Sequence, residues 1–230
     1  MKKRQLMVNE DKTEEFVVKR KGNESWKKCK LLGSLLATIE DIERRKALTN
    51  AIMNTPKLKA IFRSRVVSEK VKIRVFNCYM DATFLFNSET WGITEAQGKK
   101  IDAFQRRKLR QILNIKWPKV ITNHDLYRRT KVTKWSTKIR RRRLNLLGHA
   151  MRLPEETPVR KAIEESLKTY NRPRGAPPTT WIGVMKKELS KGGVHLSIND
   201  GHEHQIQTLV DVTGNRQEWR KIINVILESQ

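Results

Sequence analysis

The chain has 230 residues, with 49 Lys or Arg against 24 Asp or Glu, and a formal net charge of +25. This charge repels itself unless a polyanion neutralises it, and nucleic acid is the commonest such polyanion. The two cysteines, Cys29 and Cys78, fit neither a metal-ligand spacing nor a disulfide framework, and no long apolar run predicts a transmembrane helix, so we expect a reduced intracellular protein.

Short apolar clusters between turn-prone segments predict a small β element over residues 1–36. The clusters are Leu6 with Val8, then residues 16–18, then residues 31–36. So few strands cannot bury a core by themselves. We therefore expect this element to be the edge of a larger sheet.

The pattern becomes helical from Glu40, where apolar residues recur at three- and four-residue steps. Pro56 is expected to end or kink the first helix. Ser68 is the expected N-cap of a helix from Glu69 to about Phe84. The buried face of that helix is predicted to hold Val71, Val75, Cys78 and Ala82.

Further helix starts are marked by threonines. Thr94 and Gln97 have the spacing of a capping box, and Thr122 is expected to cap a shorter helix through Tyr127. Pro154 and Pro158 are expected to bracket an acidic turn. The remaining helices are predicted over residues 136–151, 180–189 and 218–227.

Positive charge is concentrated between Lys99 and Arg152, where 18 Lys or Arg accompany two acids. The run Arg140 to Arg143 lies inside a helical pattern, so its four side chains cannot share one polar stripe. At least one arginine stem should lie against the apolar side and extend its guanidinium out to solvent. Guanidinium groups match phosphate oxygens, so this run predicts phosphate contact.

Six tryptophans accompany this charge, and aromatic rings among arginines can stack unpaired bases. Trp117 and Trp135 flank the most basic stretch and are the predicted stacking residues. The alternative for each tryptophan is a place in the core, because a large ring is costly to expose.

Three segments in the first 91 residues follow the motifs of one protein family. Residues 6–14 follow Gly-Leu-x-x-Asn-x-x-Lys-Thr, with Gln5 in place of the Gly. Residues 26–34 follow Lys-Tyr-Leu-Gly, with Leu31 in place of the Tyr, and residues 87–91 resemble Gly-x-Glu-Thr-Trp, with Asn87 in place of the Gly. These segments resemble motif D, the palm-closing segment and the thumb of non-LTR (LINE-type) retrotransposon reverse transcriptases.

The same resemblance continues, in order, along the rest of the chain. Four later segments are similar to the family's helix before Ile-x-Trp, its Arg-Arg-Leu-x-Trp-Leu-Gly-His segment, its Gly-Arg-Pro-x-x-Thr-Trp arm and its closing Asp-Arg-x-x-Trp. They are residues 106–113 with Trp117, residues 141–154, residues 172–175 with Trp181, and residues 216–219.

The resemblance implies a parent enzyme that holds Mg²⁺ with aspartates of motifs A and C. This chain begins at about motif D, so we expect neither polymerase activity nor a cofactor. Lys12 matches the motif D lysine, which is implied to neutralise or protonate the leaving pyrophosphate and is expected to be inactive without those aspartates. Residues 79–82 resemble Tyr-x-Asp-Asp but carry only Asp81 in a helical run, so we reject them as a metal site.

We therefore expect a mainly α fold with a small N-terminal β element. Residues 1–36 would be the end of the palm, 37–118 a helical thumb, and 119–230 a basic helical C-terminal region with a Pro/Arg arm at 171–178. Two cysteines cannot build a zinc knuckle, so no metal is predicted.

The expected partner is RNA, RNA–DNA hybrid or DNA, gripped along the backbone rather than read by sequence, and the expected location is the nucleus. The residues predicted to contact nucleic acid are Arg106, Arg107, Arg110, Arg140, Arg141, Arg142, Arg143, Arg172, Arg174, Trp117 and Trp135. A truncated enzyme, a co-opted nucleic-acid- or chromatin-binding protein and a non-functional retroelement remnant remain as alternatives.

Overall fold

The only sheet among the described residues is a two-stranded hairpin near the start of the chain. A computed structural model describes residues 25–118, 120–168, 179–196 and 201–228. A 3₁₀ turn (Ser25–Lys28) leads into antiparallel strands β1 (Lys30–Leu31) and β2 (Ser34–Leu35). The apolar clusters predicted before residue 25 lie outside the described residues.

The hairpin is fastened to the first helix by polar side chains. Leu32 and Gly33 form its turn with φ of 46° and 85°, a conformation that glycine adopts without strain. The guanidinium of Arg45 donates to the carbonyl of Gly33 at 2.6 Å. The buried carboxylate of Asp41 accepts from the Leu35 N–H at 3.0 Å and from the Trp91 Nε1–H at 3.0 Å. One carboxylate therefore ties the hairpin to the middle of the chain.

The rest of the described chain is helical, which confirms the predicted mainly α fold. A π-helical segment (Asn77–Asp81) joins α3 to α4, and a 3₁₀ turn (Ser88–Thr90) follows α4. The helices are α1 (Thr38–Met53), α2 (Pro56–Arg63), α3 (Glu69–Phe76), α4 (Ala82–Phe84), α5 (Glu95–Ile112), α6 (Asn123–Thr130), α7 (Trp135–Met151), α8 (Pro158–Leu167), α9 (Trp181–Lys191), α10 (His202–Gly214) and α11 (Arg216–Glu228).

The predicted helix caps are confirmed. The side chains of Ser68, Thr94 and Thr122 each accept a hydrogen bond from a backbone N–H in the first turn of the following helix. Gln97 completes the capping box by accepting from the Thr94 N–H at 2.7 Å. These starts were readable because each cap is a local contact over three residues.

Two prolines start helices rather than interrupting them. Pro56 is the first residue of α2, and Pro158, expected to close a turn, is the first residue of α8. The missing N–H of proline costs nothing at this position, because the first-turn N–H groups have no helical partner. The helices α8 and α10 were not predicted.

The predicted buried face of the helix after Ser68 was wrong. Val71, Cys78 and Ala82 are exposed, and the buried positions are Phe76, Met80 and Phe84. The larger side chains recur at four-residue steps and bury more apolar area, so they decide which face turns inward.

The helices enclose two clusters of buried apolar residues that meet along α7. Trp135 and Ile139, at the start of α7, belong to a first core built on α1 to α6. Leu144 and Leu147 belong to a second core built on α8 to α11. The division between the two cores therefore falls inside α7. The thumb boundary that the sequence places after residue 118 stays a prediction.

Trp135 is the centre of an aromatic stack in the first core. Its ring is fully buried and lies nearly parallel to the rings of Phe84 and Phe76, with centroid distances of 4.2 and 6.0 Å. Its Nε1–H donates to a carboxylate oxygen of Asp81 at 2.6 Å. The ring therefore fills the core, and its polar edge has a partner.

Replacing Trp135 with Ala should lower the free energy of unfolding by about 3–5 kcal/mol, because a cavity replaces the centre of the stack. Urea denaturation followed by circular dichroism measures this change. Trp117→Ala is the matched control, since its ring is 88% exposed; its effect should stay within about 0.5 kcal/mol. Equal effects of the two substitutions would contradict this packing.

Candidate nucleic-acid interface

Two of the four consecutive arginines on α7 are inside the protein. Arg140 and Arg143 are 5% and 1% exposed. Arg140 donates from Nε to a carboxylate oxygen of Glu188 at 2.6 Å and from Nη2 to the carbonyl of Ile226 at 3.0 Å. Arg143 donates to the carbonyl of Trp91 at 3.2 Å and lies 3.6 Å from the other Glu188 oxygen.

Burial of this group also changes the pKa of Arg143. Desolvation lowers the pKa of Arg143 to about 10; nearby Glu188 opposes the change, and Arg140 adds to it. The prediction that Arg140 and Arg143 contact phosphate is therefore corrected. Their guanidinium groups do not extend out to solvent; both pair with the buried carboxylate of Glu188 on α9, which offsets part of their charge.

The other two arginines of the run face outward. Arg141 is exposed and donates to the side-chain oxygen of Asn224 at 3.3 Å. Arg142 donates to the carbonyl of Leu85 and lies 3.7 Å from Glu89. Arg141 has no carboxylate partner within the described residues, so it is the more available of the two.

The end of α5 presents a second group of predicted arginines. Arg107 is exposed and Arg106 is half-buried. Arg110 donates to the carbonyl of Ile121 at 3.0 Å and to the Asn123 side-chain oxygen at 2.9 Å. Within the described residues, none of these three arginines forms an ion pair with a carboxylate. Their charge is therefore not cancelled locally.

Trp117 lies in the loop that Arg110 holds against α5. The Ile115 N–H donates to the carbonyl of Arg110 at 2.9 Å, so both ends of the loop are tied to this residue. Between these ties, Lys116 and the Trp117 ring are exposed. An exposed indole next to Lys116, in a loop that Arg110 anchors, is a combination on which unpaired bases can stack. Sequence reasoning placed Trp117 here but missed Lys116.

The structure separates Trp117 from the other tryptophan predicted to stack. Trp135 is fully buried and stacks with Phe76 and Phe84, so no base can reach its ring. The prediction of base stacking at Trp135 is therefore corrected. Because both tryptophans border the basic stretch, only packing distinguishes them.

Three predicted residues and one rejected metal ligand remain. Lys12, Arg172 and Arg174, with the Pro/Arg arm, lie outside the described residues. The Asp81 carboxylate accepts from Trp135 and pairs with Lys138, so it serves as a structural acceptor. Across residues 25–118, 120–168, 179–196 and 201–228, no group of three or more His, Cys, Asp or Glu is arranged to hold a metal.

We name Arg106, Arg107, Arg110, Lys116 and Trp117 the α5 surface. It offers positive charge for phosphates and one ring for a base. Comparison with known protein families, curated proteins and solved structures found no match to this chain. Within the described part, no helix has the length and apolar content to cross a membrane.

Replacing Glu188 with Gln should lower the free energy of unfolding by about 3–5 kcal/mol, since it leaves two buried guanidinium groups without their counter-charge. The midpoint of chemical denaturation measures the loss. Glu203→Gln, which removes an exposed charge from the first turn of α10, should change stability by about 0.5 kcal/mol or less. A Glu188→Gln protein as stable as this control would show that the buried carboxylate is not needed.

Proposed function

We propose that this chain binds RNA or RNA–DNA hybrid through the α5 surface, as the thumb-containing part of a retrotransposon reverse transcriptase. The observation that carries the proposal is the 88% exposure of Trp117, next to exposed Lys116 in a loop that Arg110 anchors, where no described carboxylate pairs with either cation. An apolar ring is not left in water without cost. Stacking on a base would cover it, while the arginines hold the adjoining phosphates.

Phosphate contacts and base stacking would contribute differently to binding. Phosphate contacts by Arg107 and Lys116 would supply affinity that depends on salt, because each contact releases a condensed counterion. Stacking on Trp117 would favour unpaired bases and would depend little on salt. Neither contact reads a base edge, so the chain would grip many sequences alike.

Assignment to the reverse transcriptase family rests on the order of the motifs. The exposed apolar side chains of Leu31, Leu32 and Leu36 beside the short hairpin support it, because an isolated two-stranded hairpin is marginal and a larger sheet would cover them. Alone, the chain would grip nucleic acid without polymerising it. The proposed site of action is the nucleus.

A second candidate is a stand-alone nucleic-acid- or chromatin-binding protein. Two packed cores joined by one helix favour it, because such packing gives the described part stability of its own. Duplex DNA distinguishes the two functions. A thumb fragment should prefer RNA hairpin and hybrid, whereas a chromatin-binding module should prefer duplex DNA.

The intact chain should bind a short RNA hairpin and an RNA–DNA hybrid with an affinity that falls steeply as salt rises. Fluorescence anisotropy across a salt series measures the slope of log K against log salt. Arg107→Gln with Lys116→Gln should reduce the slope by about one unit per contact. Lys161→Gln with Lys187→Gln, two exposed cations on α8 and α9, is the charge-matched control. A shallow slope for the intact chain would overturn the proposal.

Trp117→Ala should weaken binding to a single-stranded RNA by about 1–3 kcal/mol and leave the salt slope unchanged, because a stacking contact releases no counterions. The same titration on a fully paired duplex should show a smaller loss. Trp117→Phe, which keeps an aromatic face, should retain most of the affinity. If all three proteins bind single strands equally, the ring is not a platform for bases.

A further inference from the structure

Helices α7 and α11 lie side by side and run in opposite directions. Near the start of α7, Arg140 donates to the carbonyl of Ile226, near the end of α11. Further along α7, the Trp219 Nε1–H donates to the carbonyl of Leu144 at 3.2 Å. A Cβ atom on Gly148 would lie only 2.2 Å from Trp219 Nε1, so this close approach requires glycine. The two helices are therefore closely packed against each other.

The outer edge of this helix pair is polar and positively charged. On α7 and its C-cap its residues are four and seven positions apart, and on α11 they are four apart, so each set follows one face. We name this edge the α7–α11 seam. It consists of Arg141, Asn145 and Arg152 with Arg216, Arg220 and Asn224.

Contacts across the seam show that the two sets meet. Arg141 donates to Asn224 at one end. At the other end, Arg216 and Arg220 are close enough to Arg152 to lower its pKa, after the larger effect of its own burial. Arg152 also donates to the carbonyl of Thr213 at 2.9 Å, which fixes its position between α7 and α11.

Carboxylates do not balance these arginines. The sequence of α7 contains no Asp or Glu over its whole length. Among the described residues, Arg152, Arg216 and Arg220 form no ion pair. The Nε atom of Arg152 is shielded from solvent and has no hydrogen-bond partner there. Like charges held together repel, and an anion placed between them would reverse that repulsion.

A phosphate backbone fits this arrangement. The span from Arg141 to Arg152 is about 16 Å at 1.5 Å per helical residue. On B-form DNA that length spans about five nucleotides of one strand at 3.4 Å each, so several backbone phosphates can lie along it. Exposed Asn145 adds an amide that can donate to a phosphate oxygen.

We propose that the α7–α11 seam is a second nucleic-acid contact, which binds backbone phosphates of the same RNA or hybrid. The inference rests on the proposed function and adds a site that the α5 surface does not include. Arg152, Arg216 and Arg220 hold the phosphates at one end of the seam. Arg141 holds the strand at the other.

The test is Arg216→Gln with Arg220→Gln in the full chain, titrated with the RNA–DNA hybrid across a salt series. Both residues are exposed, and Arg152 is left in place because it bonds the Thr213 carbonyl. The slope of log K against log salt should fall by about two units, one for each lost phosphate contact. Arg216→Lys with Arg220→Lys should keep most of the slope, because the charge is retained. Equal unfolding midpoints verify that each variant is folded.

The outcomes separate this proposal from the proposed function. Loss of slope in the Gln variant, beyond that of Lys161→Gln with Lys187→Gln, supports the seam. A steep slope for the intact chain with equal values for the Gln variant and this control overturns the seam and leaves the α5 surface standing. No salt-dependent binding by the intact chain overturns both.

Discussion

The buried group of Glu188, Arg140 and Arg143 is the contact on which the arrangement of the two cores depends. It lies where α7 passes from one core to the other, and it draws α9 onto that helix. One of its arginines also reaches the last turn of α11, where carbonyl groups lack helical partners. Charges in such a place are costly to desolvate, so they are tolerated in few relative orientations. Their exacting geometry specifies how the second set of helices packs.

Local features of the fold were predictable, and distant ones were not. Ser68, Thr94 and Thr122 marked helix starts because a cap needs only the three residues that follow it. The helix α10 was missed although Ile206, Leu209 and Val210 recur at helical steps. Two of its buried positions, Gln205 and Thr213, are polar, which weakens that pattern. Pro158 was predicted to close a turn but begins α8, because proline is favoured at the first position of a helix as well as in turns.

The same limit applied to the candidate site. The fate of Arg140 and Arg143 depends on Glu188, which is more than 40 residues further along the chain, and no pattern in the run itself indicates that partner. Trp117 and Trp135 have similar basic neighbours in sequence, yet one ring is covered by two phenylalanines and the other is free. Net charge predicts a polyanionic partner, which stays a prediction, whereas packing decides which cations remain available.

The unbroken course of α7 through both cores has a consequence for kinetics. A helix that is built into two cores cannot bend freely between them, so the Arg141 and Arg152 ends of the α7–α11 seam keep a fixed separation. A polymer that touches one end then meets the other at a high local concentration, and release requires both contacts to open together. Each contact could be weak and brief while the complex as a whole persists, which would let the protein shift along a strand without letting go.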